Sequence, residues 1–454
     1  MNSVFYPKSV AVIGASREPM AVGHGIVQNL INGGVFQTEY NRPFKGKIFL
    51  INPNADEILG IKCNKTLADV KDDIDLAIIA VPSKFVASVV RDCVKKKVKG
   101  VIIISAGFAE IGSEGKKLQD EISNELKKAN IPLIGPNCLG MINTFAVNAS
   151  FAPAMPPQGS IAFVSQSGAL ADSVIDWAIA KNYGFSKIIS VGNGANLDVS
   201  DFIEYLSDDK ETKSIAMYIE ALKDGRKFMA AAKKCKKPIV VLKAGKTEAG
   251  RSAISSHTGS LAGSYKVYEA AFSQCGVKIA KNVEELFEQA QLLSMMPRDI
   301  NNSVAIITNG GGCGVLAADR CKELGINLSK LSKETMDKLD KSGKMHPAYS
   351  KGNPLDLIGD ALSERYEAAL DAVLSQEDVG AAIVIQTLQT MTQPIENAKA
   401  IINAQKKYPG KPILAVFMGG TFTREGKHYL EVHNVPVYLY PEKAVEALSA
   451  LIKK

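Results

Sequence analysis

Short, continuous apolar runs that end in Gly, Pro, Ser or Asn, each followed by helical periodicity, recur along the whole chain. They read SVAVIG, GKIFLIN, LAIIAV, GVIIISA and IPLIG, then SIAFVS, KIISVG, SIAMYIE and PIVVLKAG, then VAIITN, AAIVIQ, PILAVFMG and VPVYLY. Strands that are apolar throughout need cover on both faces, and helices between them imply parallel pairing. The second and third groups look like copies of one unit. IAFVSQSGALADSVIDWA parallels VAIITNGGGCGVLAADRC, GNGANLDVSDFI parallels GNPLDLIGDAL, SIAMYIEAL parallels AAIVIQTLQ, and KKPIVVLKAG parallels GKPILAVFMGG. Four matched blocks in one order predict an α/β chain: a Rossmann-like domain followed by two flavodoxin-like parallel-sheet domains. FAPAMPPQGS (151–160) and PRDINNS (297–303) mark the transitions. The expected domains are 1–140, 141–297 and 298–454.

A length of 454 residues suits about three domains. With 46% apolar and 22% charged residues, the chain can build packed cores. Its net charge of +7 comes from scattered lysines, the tightest run being Lys95-Lys96-Lys97, so no nucleic-acid stripe is expected. The seven cysteines form no CxxC pair and no metal-spaced cluster, which fits a reducing cytoplasm and no metal site of the chain's own. The N-terminus enters a strand almost at once, and no apolar run reaches the length of a membrane span. Neither a signal peptide nor a membrane segment is expected.

Gly245-Lys246-Thr247 looks like the end of a P-loop, but position 240, where a further Gly is needed, is Val. A surface turn is expected there. In VAVIGASREP the dinucleotide fingerprint is broken, because Ser16 and Pro19 replace the second and third glycines. The next strand ends in Asn52-Pro53 rather than an acid. NAD is disfavoured, while a phosphorylated adenine ligand still fits a Gly turn followed by Arg17. VSQSGALADSV (164–174) and TNGGGCGVLAADR (308–320) each place small residues at a helix start after a strand, and are candidate anion seats. His257 lies in SSHTGSLAG, a small, polar stretch suited to presenting a side chain. A neutral imidazole is nucleophilic at cellular pH once an acceptor holds its other nitrogen's proton. Glu220, closing SIAMYIE, is the candidate acceptor, and Gln386 is read as its uncharged counterpart in the repeat.

Taken together, VIGASREP, IGPNCLG, FVSQSGAL, GNGANLD, MYIEAL and SSHTGSLAG resemble the α subunit of ADP-forming acetyl-CoA synthetases, relatives of succinyl-CoA synthetase in the nucleoside-diphosphate-forming acyl-CoA synthetase superfamily. The resemblance covers essentially the whole chain. It implies reversible conversion of acyl-CoA, ADP and phosphate to acid, CoA and ATP through an acyl phosphate and a phosphohistidine. It further implies CoA binding by Gly14, Ala15, Ser16, Arg17, Val81, Pro82, Ser105, Gly107 and Asn137. Phosphorylation falls on His257 with Glu220 orienting it, and phosphate binding on Ser165, Gln166, Ser167 and Gly168 and again on Gly311 and Gly312. The family's ATP-grasp domains are not found in these residues, so a separate β subunit in an α2β2 heterotetramer is expected, with Mg2+ arriving with ADP or ATP. A CoA- or nucleotide-sensing protein without enzyme activity is the alternative.

Overall fold

Each apolar run forms a strand in the computed structural model, which describes residues 1–258, 263–297 and 299–453. The described residues fall into two units, Met1–Ser294 and Met295–Lys454. The first unit holds two seven-stranded sheets. In the first sheet the order is Glu57–Ile58, Ile61–Asn64, Lys47–Ile51, Ser9–Ile13, Leu76–Ile79, Val101–Ile103 and Leu133–Ile134. Pairing is parallel except for the edge hairpin at 57–64. In chain order this is the Rossmann winding, reversing between Ser9–Ile13 and Leu76–Ile79. A short helix, Asn2–Phe5, precedes the first strand.

The second sheet runs Lys278–Ala280, Ile239–Lys243, Ser214–Ile219, Gln158–Ser165 and Phe185–Ser190, all parallel, and ends in an antiparallel hairpin, Gly140–Asn143 and Val147–Ser150. Its five parallel strands follow the flavodoxin order. The second unit repeats that order in Leu355–Asp356, Val304–Thr308, Ala381–Gln386, Ile413–Phe417 and Val437–Tyr438. The expected fold class, Rossmann-like then twice flavodoxin-like, is the one observed.

The hairpin at 140–150 was not expected from the sequence. Its buried positions include Asn143, Asn148 and Ser150, which break an apolar pattern. Those groups are satisfied only by tertiary partners: Asn143 Nδ2 donates to Phe5 O (2.8 Å) and Asn148 Nδ2 to Gly33 O (2.9 Å). Asn29, on the helix Val22–Asn32, donates to Ser150 O (2.8 Å) and Ala152 O (2.9 Å), tying the first sheet's leading helix to this hairpin. One apolar core runs beneath both sheets, from Val10, Ile26 and Leu30 to Met141, Val164 and Ile189.

A buried charge network fastens the N-terminal segment to the second sheet. Lys187, fully buried in the strand Phe185–Ser190, places Nζ 2.6 Å from Asp209 and 3.4 Å from Glu211. Tyr6 donates to Glu211 (2.5 Å), and Thr212 Oγ1 to the Asp209 carboxylate (2.5 Å). Removing one partner of a buried pair leaves the other charge without compensation. Asp209→Ala should therefore lower the stability of the fold against urea by about 3 kcal/mol, against less than about 1 kcal/mol for the exposed pair broken in Asp72→Ala.

Candidate active site

At the first sheet's switch point the turn after Ser9–Ile13 runs under the strand Leu76–Ile79. Gly14 has φ +94°, and a Cβ on it would meet Ala80 O at 2.5 Å. On the other side Gly23, in the first turn of the helix Val22–Asn32, leaves 2.0 Å between a would-be Cβ and Gly14 O. Gly23 thus gives the close helix–turn approach that the broken fingerprint could not locate. Ala15 is buried, and its carbonyl accepts from Asn52 Nδ2 (2.7 Å), so the residue replacing the ribose-binding acid braces the turn instead. Ser16 turns its hydroxyl onto the Glu18 amide (3.1 Å) and its carbonyl toward the buried His24 ring (2.9 Å). Arg17 is exposed at the lip, resting on Asn54 O at 3.1 Å.

The other residues expected at the CoA groove stand at the carboxyl ends of neighbouring strands. Val81 and Pro82 follow Leu76–Ile79, and Pro82 caps the helix Ser83–Lys96. Ser105 Oγ donates to Val81 O at 2.5 Å. Asn137 adopts φ +56° and donates its amide to Ser105 O (2.9 Å). The Gly107 amide donates to Glu110 Oε1 (2.6 Å). Burial raises the Glu110 pKa, but hydrogen bonds from Asn193 and from backbone amides outweigh it, holding the carboxyl below its usual range. Asn193 lies in the loop after the second sheet's strand Phe185–Ser190, so the residues expected at the groove are held by both sheets' connections. Its Nδ2 reaches Glu110 (2.6 Å) and Gln119 (2.9 Å), and its Oδ1 accepts from Asn137 (3.3 Å).

The second sheet's switch point lies between Gln158–Ser165 and Ser214–Ile219. There Gln166 acts as a side-chain extension of the ladder: Oε1 accepts from Glu220 N (2.6 Å) and Ala221 N (3.1 Å), and Nε2 donates to Ala221 O (2.8 Å). Gln166 was expected to bind phosphate, but its side-chain amide is committed to this backbone. Ser165 and Ser167 close the turn, with Ser165 Oγ donating to Ser167 O (2.7 Å) and accepting from Ser167 N (3.1 Å). Ser167 then caps the helix Gly168–Lys181 through the Leu170 amide (3.3 Å). The first helical amides, starting at Gly168, have no partner within the helix. Glu220 is 8% exposed beside this turn. Burial raises the phenol pKa of Tyr218, two residues earlier, and the charge and hydrogen bonding of Glu220 raise it further. Sequence reasoning missed Lys243, which ends the adjacent strand 2% exposed, its Nζ on Glu220 O at 2.7 Å. A lone lysine after an apolar run gave no signal.

Gly245-Lys246-Thr247 is the expected surface turn. The Thr247 hydroxyl accepts from Gly250 N (3.1 Å) ahead of the helix Glu248–Thr258. The backbone of His257 lies in the last turn of that helix rather than in an open loop, and its side chain lies outside the described residues, as do residues 259–262. The helix packs against the turn Ala109–Ile111, next to Gly107 and Glu110 of the groove.

The second unit reproduces the turn geometry. Thr308 Oγ1 donates to Gly310 O (3.0 Å) and accepts from Gly310 N (3.0 Å), and Asn309 Oδ1 accepts from Thr387 N (2.7 Å). Register fixes the equivalence: Ser165 pairs with Tyr218 as Thr308 pairs with Ile385. The counterpart of Glu220 is therefore Thr387, one residue beyond the Gln386 read from the sequence, and that of Lys243 is Phe417. A Cβ on Gly311 would lie 2.8 Å from Asp356 Oδ2. The Asp356 carboxylate thus stands beside Gly311 at the start of the helix Gly311–Glu323, whereas nothing lies within 4 Å of a would-be Cβ on Gly312. Among the described residues no group of His, Cys, Asp and Glu is arranged to hold a metal, and no helix is long and apolar enough to cross a membrane.

Residues 8–144 match the CoA binding domain family, 158–293 the succinyl-CoA ligase like flavodoxin domain and 304–453 the ligase-CoA domain. Over its full length the chain is 46% identical to the ADP-forming acetate–CoA ligase of Methanocaldococcus jannaschii and spans 63% of that protein. It is 42% identical, again over its full length, to the α subunit of ADP-forming acetate–CoA ligase II of Pyrococcus furiosus, covering 98% of it. A solved structure of Ca. Korarchaeum cryptofilum dinucleotide forming acetyl-coenzyme A synthetase 1, in complex with phosphate and ADP, superposes with a TM-score of 0.92 at 38% identity. That alignment covers 99% of this chain and 96% of that one. The chain belongs to the ADP-forming acetate–CoA ligase family.

Proposed function

We propose that this chain is the acyl-CoA-handling α subunit of an ADP-forming acid–CoA ligase in the cytoplasm, with functional divisions near residues 140 and 297. One observation carries the reading: the helix Glu248–Thr258, whose last turn holds His257, packs beside the turn Ala109–Ile111, next to Gly107 of the groove. CoA lies over Gly14, Ala15, Ser16 and Arg17, with Val81, Pro82, Ser105, Gly107 and Asn137 along the groove. Phosphate attacks the acyl carbonyl, the C–S bond breaks, and CoA leaves as the thiol with an acyl phosphate formed. An imidazole nitrogen of His257 then attacks phosphorus, and the acid leaves as its carboxylate. Glu220 holds the other ring nitrogen's proton and stabilises the charge that develops on the ring. The helix starting at Gly168 steadies the phosphoryl group through the positive end of its dipole, while Ser165 and Ser167 shape the turn. Gly311 and Gly312 provide the second phosphate position, with Asp356 beside Gly311 and open space at Gly312.

The phosphoryl group passes to ADP, accompanied by Mg2+, on an ATP-grasp β subunit in an α2β2 assembly. The name of the P. furiosus relative, an α subunit, supports a β-subunit partner. Acetate is the acid that the names of these two relatives support, while others are named for 4-hydroxybutyrate and ferulate.

Mass spectrometry after incubation with acetyl phosphate should find phosphohistidine at His257. His257→Ala should carry none while still binding CoA; a chain that binds CoA but is never phosphorylated would be a sensor instead. Glu220→Gln should keep CoA binding and slow phosphohistidine formation roughly a hundredfold in rapid-quench experiments. Arg17→Ala should weaken CoA about tenfold by calorimetry, with no NAD binding in either form.

The phosphate-holding helix also carries a pH dependence. Burial pushes the carboxyl of Asp172, one turn in from Gly168, up to about 6, and one of its oxygens has no hydrogen-bond partner. A raised carboxyl pKa stabilises the fold below the unfolded value, near 4, and that contribution is lost as pH rises through about 6. Asp172→Asn should therefore melt at a higher temperature than the unaltered chain at pH 7.5, the gap narrowing at pH 5. A gap independent of pH would mean that Asp172 is ionised throughout.

A further inference from the structure

Lys243 is a buried ammonium at the C-terminal end of Ile239–Lys243, next to the strand that ends at Glu220. Nζ donates to two carbonyls, Glu220 O at 2.7 Å and Ala244 O at 2.5 Å, and stands 4.4 Å from the centroid of the Tyr268 ring. No carboxylate lies within ion-pair distance of it among the described residues. Tyr268 accepts at its hydroxyl from Leu222 N (3.1 Å), and a Cβ on the exposed Gly263, the first described residue after 259–262, would meet its ring at 3.3 Å. The equivalent strand of the second unit ends in Phe417, with Thr387 in the place of Glu220. The ammonium and the carboxylate therefore occur together in one copy of a duplicated turn and are both absent from the other. Holding a charged lysine at 2% exposure is costly, and an apolar residue fills the same place in the repeat without that cost.

We propose, resting on the function above, that Lys243 is a positioning residue for phosphorylation of His257. It supplies the positive charge that keeps Glu220 an anionic acceptor at the switch point. Desolvation lowers the Lys243 pKa to about 8, with the charge of Glu220 acting in the opposite direction. The titratable groups facing it are Glu220 from the neighbouring strand and Tyr268 from the helix Tyr265–Gln274.

The test is rapid-quench measurement of phosphohistidine on the full chain with acetyl phosphate, between pH 7 and 9.5. In the unaltered chain the rate should fall as pH rises through about 8, where the ammonium loses its proton. Lys243→Met should be slower by about tenfold or more at pH 7, should lack that fall, and should bind CoA as before. A merely structural lysine would leave the shape of the pH profile unchanged. If the unaltered chain is labelled on His257 and Lys243→Met stays within threefold of it, the inference fails and the proposed function stands. If Lys243→Met does not fold, a flat profile in the unaltered chain overturns the inference on its own. No label on His257 of the unaltered chain overturns the proposed function and this inference with it.

Discussion

The first unit depends on one backbone seam. The loop after Phe185–Ser190 lays its amides along the last strand of the first sheet: Asn193 N on Pro136 O (2.9 Å), Ala195 N on Gly135 O (2.9 Å) and Leu197 N on Leu133 O (3.3 Å). Gly192 makes the approach possible, because a Cβ there would stand 2.3 Å from Pro136 O. Through this seam the carboxyl ends of two separately wound sheets come together, and Asn193 serves both. Lys223, three residues past Glu220, closes the link by donating to Asn193 O and Gly194 O, both at 2.7 Å. Burial lowers its pKa. A loop shift here would move the groove residues and the Glu220 strand end apart, so the seam sets the geometry on which any transfer between them relies.

The duplicated flavodoxin units show what such a scaffold keeps and what it changes. Both copies close the first turn with a hydroxyl that bonds two residues ahead, and both pin the third strand with an amide side chain, Gln166 in one and Asn309 in the other. These contacts are structural and are retained. Charge is what diverged. The first copy carries Glu220 over Lys243 and leaves its helix start to backbone amides and serines. The second carries Thr387 over Phe417 and brings Asp356 to its helix start. Next to Gly168 the first copy has Ser190, where the second has Asp356 next to Gly311.

The alternation of apolar strands and helices left little freedom in fold class, since strands apolar on both faces have few ways to be covered. The repeat was legible because the matched blocks include turn residues, which are dictated by local geometry. Gly14 at the first turn and the helix start after Ser167 were legible for the same reason, as was the failure of Gly245-Lys246-Thr247 to form a P-loop. The hairpin at 140–150 was hidden, since Asn143 and Asn148 look like surface residues until Phe5 and Gly33 supply carbonyls from more than a hundred positions away.

Local sequence therefore determined which elements form, how each sheet is wound and where turns can approach an anion, because these follow from side-chain periodicity and backbone sterics. It could not determine side-chain allegiance. Gln166 turns its side chain to the ladder, Lys243 gave no signal and is buried, and the repeat partner of Glu220 moved by one residue once register was known. Hydrogen-bond partners and counter-charges for such groups come from other strands, and in a parallel sheet only the tertiary register decides which polar groups meet at the carboxyl edge.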